Sequence, residues 1–175
     1  MERSCTVGPG HAGQGDQGIA KIRQGLTACL DTGAKLWESY FLGLLVEAYG
    51  ASGHPEAGLS LLAEKIAMMD TTEMRFYAAE LFRLKGALLL QQAIPEASQA
   101  EACFHQALDM ARQQEAKSWE LRAATSLARL WQQQGMYREA HELLAPVYGW
   151  FSEGFDTADL IDARALLEAL GAGRA

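Results

Sequence analysis

Apolar residues recur along this chain every three or four positions, which is the spacing of one face of an α-helix. Ile19, Ile22 and Leu26 show this spacing near the N-terminus. From residue 17 onward the helix-forming residues Ala, Leu, Glu, Gln, Lys and Arg dominate, and no segment alternates in the manner of a strand. The pattern therefore predicts an all-α protein, with helices at residues 16–31, 35–52, 55–69, 73–93, 96–114, 118–134, 137–151 and 157–170.

An internal repeat organises these helices. Residues 34–38 read Ala-Lys-Leu-Trp-Glu and return as Ala-Lys-Ser-Trp-Glu at residues 116–120, which is 82 positions later. Tyr77 lies almost midway between Trp37 and Trp119. A period of about 40 residues that is helical throughout predicts stacked helix pairs.

The repeated aromatic residues have two interpretations. Trp37, Tyr77, Trp119 and Trp131 could form a cage for a ligand, or they could pack between helices. Their position at a common phase of the repeat favours packing in the core.

Glycine and proline residues mark several helix ends. Gly53 and Gly135 can adopt the left-handed conformation that ends the first helix of a pair. Pro146 should kink its helix or end it early, because proline lacks a backbone donor. The Gly-rich residues 1–15 predict a flexible leader, and residues 171–175 a short tail.

These features resemble the tetratricopeptide repeat (TPR) family. The first helix carries a large residue followed by a small one, at Leu127 and Ala128, and a glycine follows it at Gly135. The second helix spaces Ala140 and Leu144 one turn apart. The repeat is longer than the roughly 34 residues of that family. Residues 116–131 and 143–151 are similar to the C-terminal region of bacterial signalling proteins that join a nucleotide cyclase-like module, a P-loop ATPase and TPR repeats.

The resemblance covers about residues 15–170. It implies a right-handed superhelical stack of antiparallel helix pairs, a TPR-like α-solenoid of about eight helices. A partial repeat would occupy residues 16–33, repeats residues 34–70, 71–115 and 116–152, and a capping helix residues 157–170.

The function that the resemblance implies is non-catalytic binding of a protein or peptide partner. An alternative is a regulatory C-terminal fragment that acts on a signalling ATPase or cyclase. The ATPase chemistry itself is not expected here, because the phosphate-binding sequence Gly-x-x-x-x-Gly-Lys-Ser/Thr does not occur. The carboxylate clamp of chaperone-binding TPR domains is not matched either, since Gly43 and Glu47 occupy the corresponding positions.

The partner is expected on the concave face of the array, which the first helix of each pair would form. Motif-to-motif comparison assigns nine residues to this face: Tyr40, Glu47, Glu80, Arg83, Gln91, Arg122, Thr125, Arg129 and Gln133. The three arginines could donate charge-assisted hydrogen bonds to carboxylates of a partner. Alternatively, they are solvated charges on helix surfaces.

Composition and charge favour a cytoplasmic protein and disfavour several other classes. The formal net charge is −7 and Lys and Arg form no cluster, so nucleic acid is not an expected partner. The three cysteines are widely spaced, which favours reduced thiols. No apolar run approaches the length that spans a bilayer. No catalytic, metal-binding or cofactor-binding residues are expected.

The first helix raises a question of its own. It lacks a preceding partner helix, so Ile19, Ile22 and Leu26 would form an uncovered apolar stripe. We expect this stripe to be covered by a second copy of the chain as a homodimer, by the leader, or by an upstream domain.

Overall fold

The computed structural model describes residues 9–31, 38–68 and 77–173. These residues form eight α-helices and no strand, which confirms the predicted fold class. The helices are α1 (Pro9–Asp31), α2 (Glu38–Ala51), α3 (Pro55–Met68), α4 (Ala78–Gln91), α5 (Ala97–Gln113), α6 (Lys117–Gln133), α7 (Tyr137–Tyr148) and α8 (Ala158–Ala172).

Each helix packs against the next one along the chain. Packing between second neighbours joins the even-numbered helices: α2 lies against α4, α4 against α6, and α6 against α8. These four helices therefore form one layer, the even-helix layer. The described helices therefore form a solenoid-like stack, and the antiparallel arrangement of the helix pairs stays a prediction. The right-handed superhelical twist stays a prediction.

Two helix boundaries among the described residues differ from the sequence prediction by three residues or more. Helix α1 begins at Pro9, so residues 9–15 are helical and do not belong to the expected leader. Proline is well suited to the first turn of a helix, where its missing N–H has no partner to lose. Helix α7 ends at Tyr148, two residues after Pro146 and three before the predicted end. Residues 1–8 of the leader, the last two residues of the tail, and Trp37 lie outside the described residues.

The apolar stripe of α1 is not uncovered, contrary to expectation. Ile19 is buried against Leu45 and Tyr49 of α2, and Ile22 packs partly against the same cluster. Helix α2 thus covers α1 from within the chain. The uncovered stripe, which was the reason for expecting a homodimer, is therefore absent. Leu30, at the end of this helix, is exposed.

Three helix ends share a left-handed residue. Gly53 and Gly135 have φ of +76° and +82°, as predicted, and Glu115 adopts φ of 54° at the equivalent place after α5. At each of these ends a backbone N–H reaches back across the last turn: Met136 N donates to Trp131 O at 2.8 Å, for example. The turn geometry is therefore kept at Glu115 without glycine, where a side chain makes that conformation less favourable.

Neighbouring helices, both within a pair and between successive pairs, approach closely where a glycine faces a large side chain. A methyl group at Gly86 of α4 would lie 2.6 Å from Cε1 of Phe104 and 3.0 Å from the carbonyl oxygen of Ala100, both in α5. Leu88 in turn fills the space left by Gly50 and Gly58. These contacts are the small-against-large packing that the repeat pattern predicted.

Substitution of Gly86 tests this close approach. We expect Gly86→Ala to lower the free energy of unfolding by about 1–3 kcal/mol, because overpacking outweighs the gain in helix propensity. A methyl group at Gly25 in α1 would meet nothing within 4 Å, so Gly25→Ala is the matched control and should stabilise by about 0.5–1 kcal/mol. Urea denaturation of both variants provides the measurement. Equal stabilisation by the two substitutions would contradict the packing described.

Candidate functional site

A buried carboxylate lies at the centre of the even-helix layer. Glu80 of α4 retains 1% of its surface exposed. Arg83, one turn later, donates to both of its oxygens, from Nε at 2.8 Å and from Nη2 at 2.7 Å. Arg122 of α6 contacts the same carboxylate from Nη1 at 2.8 Å. A single buried negative charge therefore joins two helices through two guanidinium groups.

The ion pairs continue to the helices on either side. Glu47 of α2 accepts from Nη2 of Arg83 and from Nη2 of Arg122, each at 3.3 Å. On the other side, Nε of Arg122 lies 3.7 Å from Oδ1 of Asp159 in α8. The resulting chain of charges crosses all four helices of the layer. We call these groups, together with the pair of Arg129 and Asp162, the ion-pair ladder.

Burial and ion pairing have opposite effects on Arg83. Burial alone would lower the pKa of its guanidinium, but the hydrogen bonds to Glu80 and the nearby charge of Glu47 raise that pKa above its usual value. Arg83 is therefore charged at any pH at which the protein is folded.

An aromatic stack borders the ladder. The ring of Tyr77, which precedes α4, lies edge-on to Trp119 at 5.1 Å and edge-on to the exposed Tyr40 at 6.4 Å. The guanidinium of Arg122 lies 5.5 Å from the centre of the Trp119 ring. Burial, followed by the charges of Glu80 and Glu47, raises the pKa of Tyr77 to about 12. Tyr77 is therefore buried in the core, and Trp119 is partly buried and packs against it, which agrees with the packing that their repeat phase predicted.

Between α6 and α8 the layer opens into a polar cleft of about 260 Å³. Its lining consists of Arg83, Arg122, Thr125, Ser126, Arg129, Asp159 and Asp162. The hydroxyl of Thr125 donates to the carbonyl of Leu121 at 2.8 Å, and that of Ser126 to the carbonyl of Arg122 at 2.9 Å. With their hydrogens directed back into the helix, these hydroxyls present acceptor lone pairs to the cleft.

The structure brings together most of the residues that sequence reasoning placed on this face. Six of the nine belong to the ladder or line the cleft: Glu47, Glu80, Arg83, Arg122, Thr125 and Arg129. Tyr40 adjoins them through Tyr77. Gln91 lies near the end of α4, where its amide is against Gly50, and Gln133 is exposed at the end of α6. These two glutamines lie beyond the ladder.

Asp159 and Asp162 were missed because α8 was regarded only as a capping helix. Their spacing of three residues places both carboxylates on one face of α8. Arg122 and Arg129, seven residues apart in α6, show the complementary spacing on the facing helix. The matching of two carboxylates with two guanidinium groups across neighbouring helices is the signal that could have found them.

The three arginines predicted for this face make ion pairs within the chain, and Arg129 is also 48% exposed. Each of them is already paired within the chain, Arg83 and Arg122 with more than one carboxylate. The groups with most exposure are Glu47, Asp159, Asp162 and Arg129, each between 43% and 50% exposed. The ion pairs therefore hold these charged groups in fixed positions.

A second buried carboxylate lies at the turn between α5 and α6. Glu120 accepts from Nε of Arg112 at 3.0 Å and from Nζ of Lys117 at 2.7 Å. Burial raises the pKa of its carboxyl, but the hydrogen bonds from Lys117 and Arg112 outweigh burial, so the pKa lies below its usual value. This cluster fixes α5 to α6 at one edge of the stack.

Comparison with protein-family models, with curated proteins and with solved structures finds no match to this chain. Within the three described ranges, no helix is long and apolar enough to cross a membrane. The same ranges hold no group of three His, Cys, Asp or Glu side chains arranged to bind a metal ion.

Removal of the Glu80 charge tests the ladder. Glu80→Gln leaves two buried or half-buried guanidinium groups without their common partner, so we expect the free energy of unfolding to fall by about 3–5 kcal/mol. Glu142→Gln, at an exposed ion pair with Arg138, should change it by about 0.5 kcal/mol or less. Chemical denaturation of both variants gives the comparison. A loss below about 1 kcal/mol for Glu80→Gln would show that the ladder does not hold the layer together.

The pH dependence of stability tests the Glu120 cluster. Because the folded-state pKa is depressed, Glu120 contributes stability above its ordinary pKa of 4.5, and this contribution is lost as the pH falls through the lower folded-state value. The stability difference between the wild type and Glu120→Gln should therefore be largest at neutral pH and shrink in acid. Urea denaturation from neutral pH to about pH 3 measures it, with the exposed Glu56→Gln as control. A difference that is independent of pH would contradict the assignment.

Proposed function

We propose that this chain is a non-catalytic interaction scaffold that binds a protein or peptide partner through one side of the even-helix layer. This side, the even-helix face, carries Tyr40, Glu47, Arg122 and Arg129. The observation that carries the proposal is the ion-pair ladder itself. It holds charged groups from four helices in fixed positions, so binding requires little ordering of this surface and the partner bears most of the entropic cost.

The TPR-like character of the array is part of this proposal. The contacts of α2 with α4, of α4 with α6, and of α6 with α8 support it, because such contacts place the first helices of successive pairs side by side. The left-handed glycines at Gly53 and Gly135 agree with it as well. A cytoplasmic location and a role in bacterial signalling belong to the same proposal and follow from the sequence resemblance.

Exposed groups on the even-helix face are suited to recognition. Tyr40 is 42% exposed and its ring is held by Tyr77, so it offers an aromatic anchor with little side-chain entropy to lose. Arg129 and Glu47 are exposed to a similar degree and are held by their ion pairs. An aromatic anchor flanked by fixed charges is typical of the residues that contribute most to protein interfaces.

Site-specific photocrosslinking tests the proposal. A photoreactive residue is placed at Tyr40 or at Arg129 in the full chain, and at the exposed Gln106 of α5 or Arg138 of α7 as controls on the odd-numbered helices. We expect the first two positions to form adducts with one defined protein in an extract of the cells that make this chain, and the controls to form none with it. Adducts that favour the controls, or no adducts at all four positions, would overturn the even-helix face as the binding surface.

A further inference from the structure

The outer face of α8 is open at the end of the even-helix layer. Leu160, Ala163, Leu166 and Leu170 are buried on the side of this helix that faces the rest of the stack. The opposite side forms a shallow, largely apolar hollow that is wide open to solvent and is lined by Ala158, Asp159, Ile161, Asp162 and Ala165. Ile161 is 45% exposed there.

Two carboxylates flank this hollow and connect it with the polar cleft. Asp159 and Asp162 line both the hollow and the polar cleft, and the side chain of each is 50% exposed. They contact Arg122 and Arg129 through Oδ1. Half of each aspartate side chain remains exposed to solvent beside these ion pairs. Each aspartate therefore has an acceptor available beside an exposed apolar surface.

The adjoining segment has the same character. Residues 150–162 contain no Lys, Arg or His, and they carry Glu153 and Asp156 in addition to the two aspartates. Phe155 is 42% exposed within it, whereas the exposed Trp150 adjoins Lys117 of α6. Apolar side chains interleaved with carboxylates are complementary to a partner in which apolar side chains alternate with basic ones.

We propose that the outer face of α8 binds a basic amphipathic helix of a partner protein. One apolar side chain of that helix enters the hollow between Ala158, Ile161 and Ala165. Its Lys or Arg side chains donate to the half-exposed carboxylates of Asp159 and Asp162. The bound helix extends the even-helix layer by one member, in the way that α8 itself lies against α6. This inference rests on the proposed scaffold function and specifies the chemistry of the partner.

A second copy of the chain fits this face poorly. Two copies joined through the same face would bring the aspartates of one against those of the other. The formal net charge of −7 also repels a second copy at long range, whereas it attracts a basic segment. Charge therefore favours a basic partner over self-association.

The test uses three synthetic peptides and the full chain. The first is an amphipathic helix of 15 residues, the length of α8, with Leu on one face and Lys on the flanks. In the second, Glu replaces each Lys, and in the third, Ser replaces each Leu. We expect the first peptide to bind at least tenfold more tightly than either of the other two, as measured by fluorescence anisotropy. Added salt should weaken its binding. Equal binding of the Lys and Glu peptides would overturn the proposal.

Variants of α8 place the binding on this helix. Ile161→Ser should lower the affinity for the first peptide about tenfold. The double substitution Asp159→Asn with Asp162→Asn should lower it about fivefold. The matched control is Glu168→Gln, an exposed carboxylate of the same helix, which should change the affinity less than about twofold. Circular dichroism and denaturation confirm that each variant folds. Binding that is unaffected by Ile161→Ser, or that is lost equally in the control, would overturn the assignment to this face.

Two further measurements distinguish this inference from the scaffold proposal. A photoreactive residue at Ala165 is compared with those at Tyr40 and Arg129 in the same extract. Adducts at Tyr40 and Arg129 with none at Ala165 would leave the scaffold proposal intact and refute the α8 site. Sedimentation measures self-association. A dimer that Ile161→Ser dissociates would identify a second copy as the occupant and would likewise refute the basic partner.

Discussion

The contact of Glu80 with two arginines is the interaction on which the arrangement of the layer depends. A buried carboxylate is tolerated only when opposite charges and hydrogen bonds compensate for its lost hydration. Arg83 supplies one compensating group from the same helix, and Arg122 supplies the other from α6. Because the second group comes from a different helix, the compensation is complete only when α4 and α6 are in the correct register. Apolar packing alone would permit small shifts between them, whereas this geometry does not.

The aromatic stack and the ladder support each other. Arg122 lies over the ring of Trp119 and reaches Glu80 with the same guanidinium, while Trp119 packs edge-on against Tyr77. A methyl group at Gly43 would lie 2.8 Å from the hydroxyl of Tyr77, so α2 also fits closely against this ring. Aromatic residues at a fixed phase of the repeat thus determine where the arginines lie, and the arginines determine where carboxylates can be buried.

The sequence predicted the helices and much of the face, but not how its charges pair. Helical spacing and the forty-residue period were sufficient for the all-α fold, and the resemblance to TPR repeats implied that Glu80, Arg83 and Arg122 share one surface. Which carboxylate meets which guanidinium depends on the distances between helices, which side-chain spacing within a helix does not contain. Asp159 and Asp162 were missed for the same reason, since α8 lacks the aromatic residue that marks the other members of the layer. The early start of α1 was missed because glycines predict disorder even where a neighbouring helix provides packing.

The position of a helix in the stack decides whether its charges are available to a partner. Glu80 lies between helices on both sides of its own, and its carboxylate is fully enclosed by arginines. Glu47 in α2 and the aspartates of α8 have fewer neighbours within the layer, and their carboxylates are 43–50% exposed. In a stack of this kind each added helix neutralises the charges of the helix before it. Half-exposed carboxylates and exposed apolar residues therefore remain at the end of the layer, and Ile161 with its two flanking aspartates is the place where both occur together.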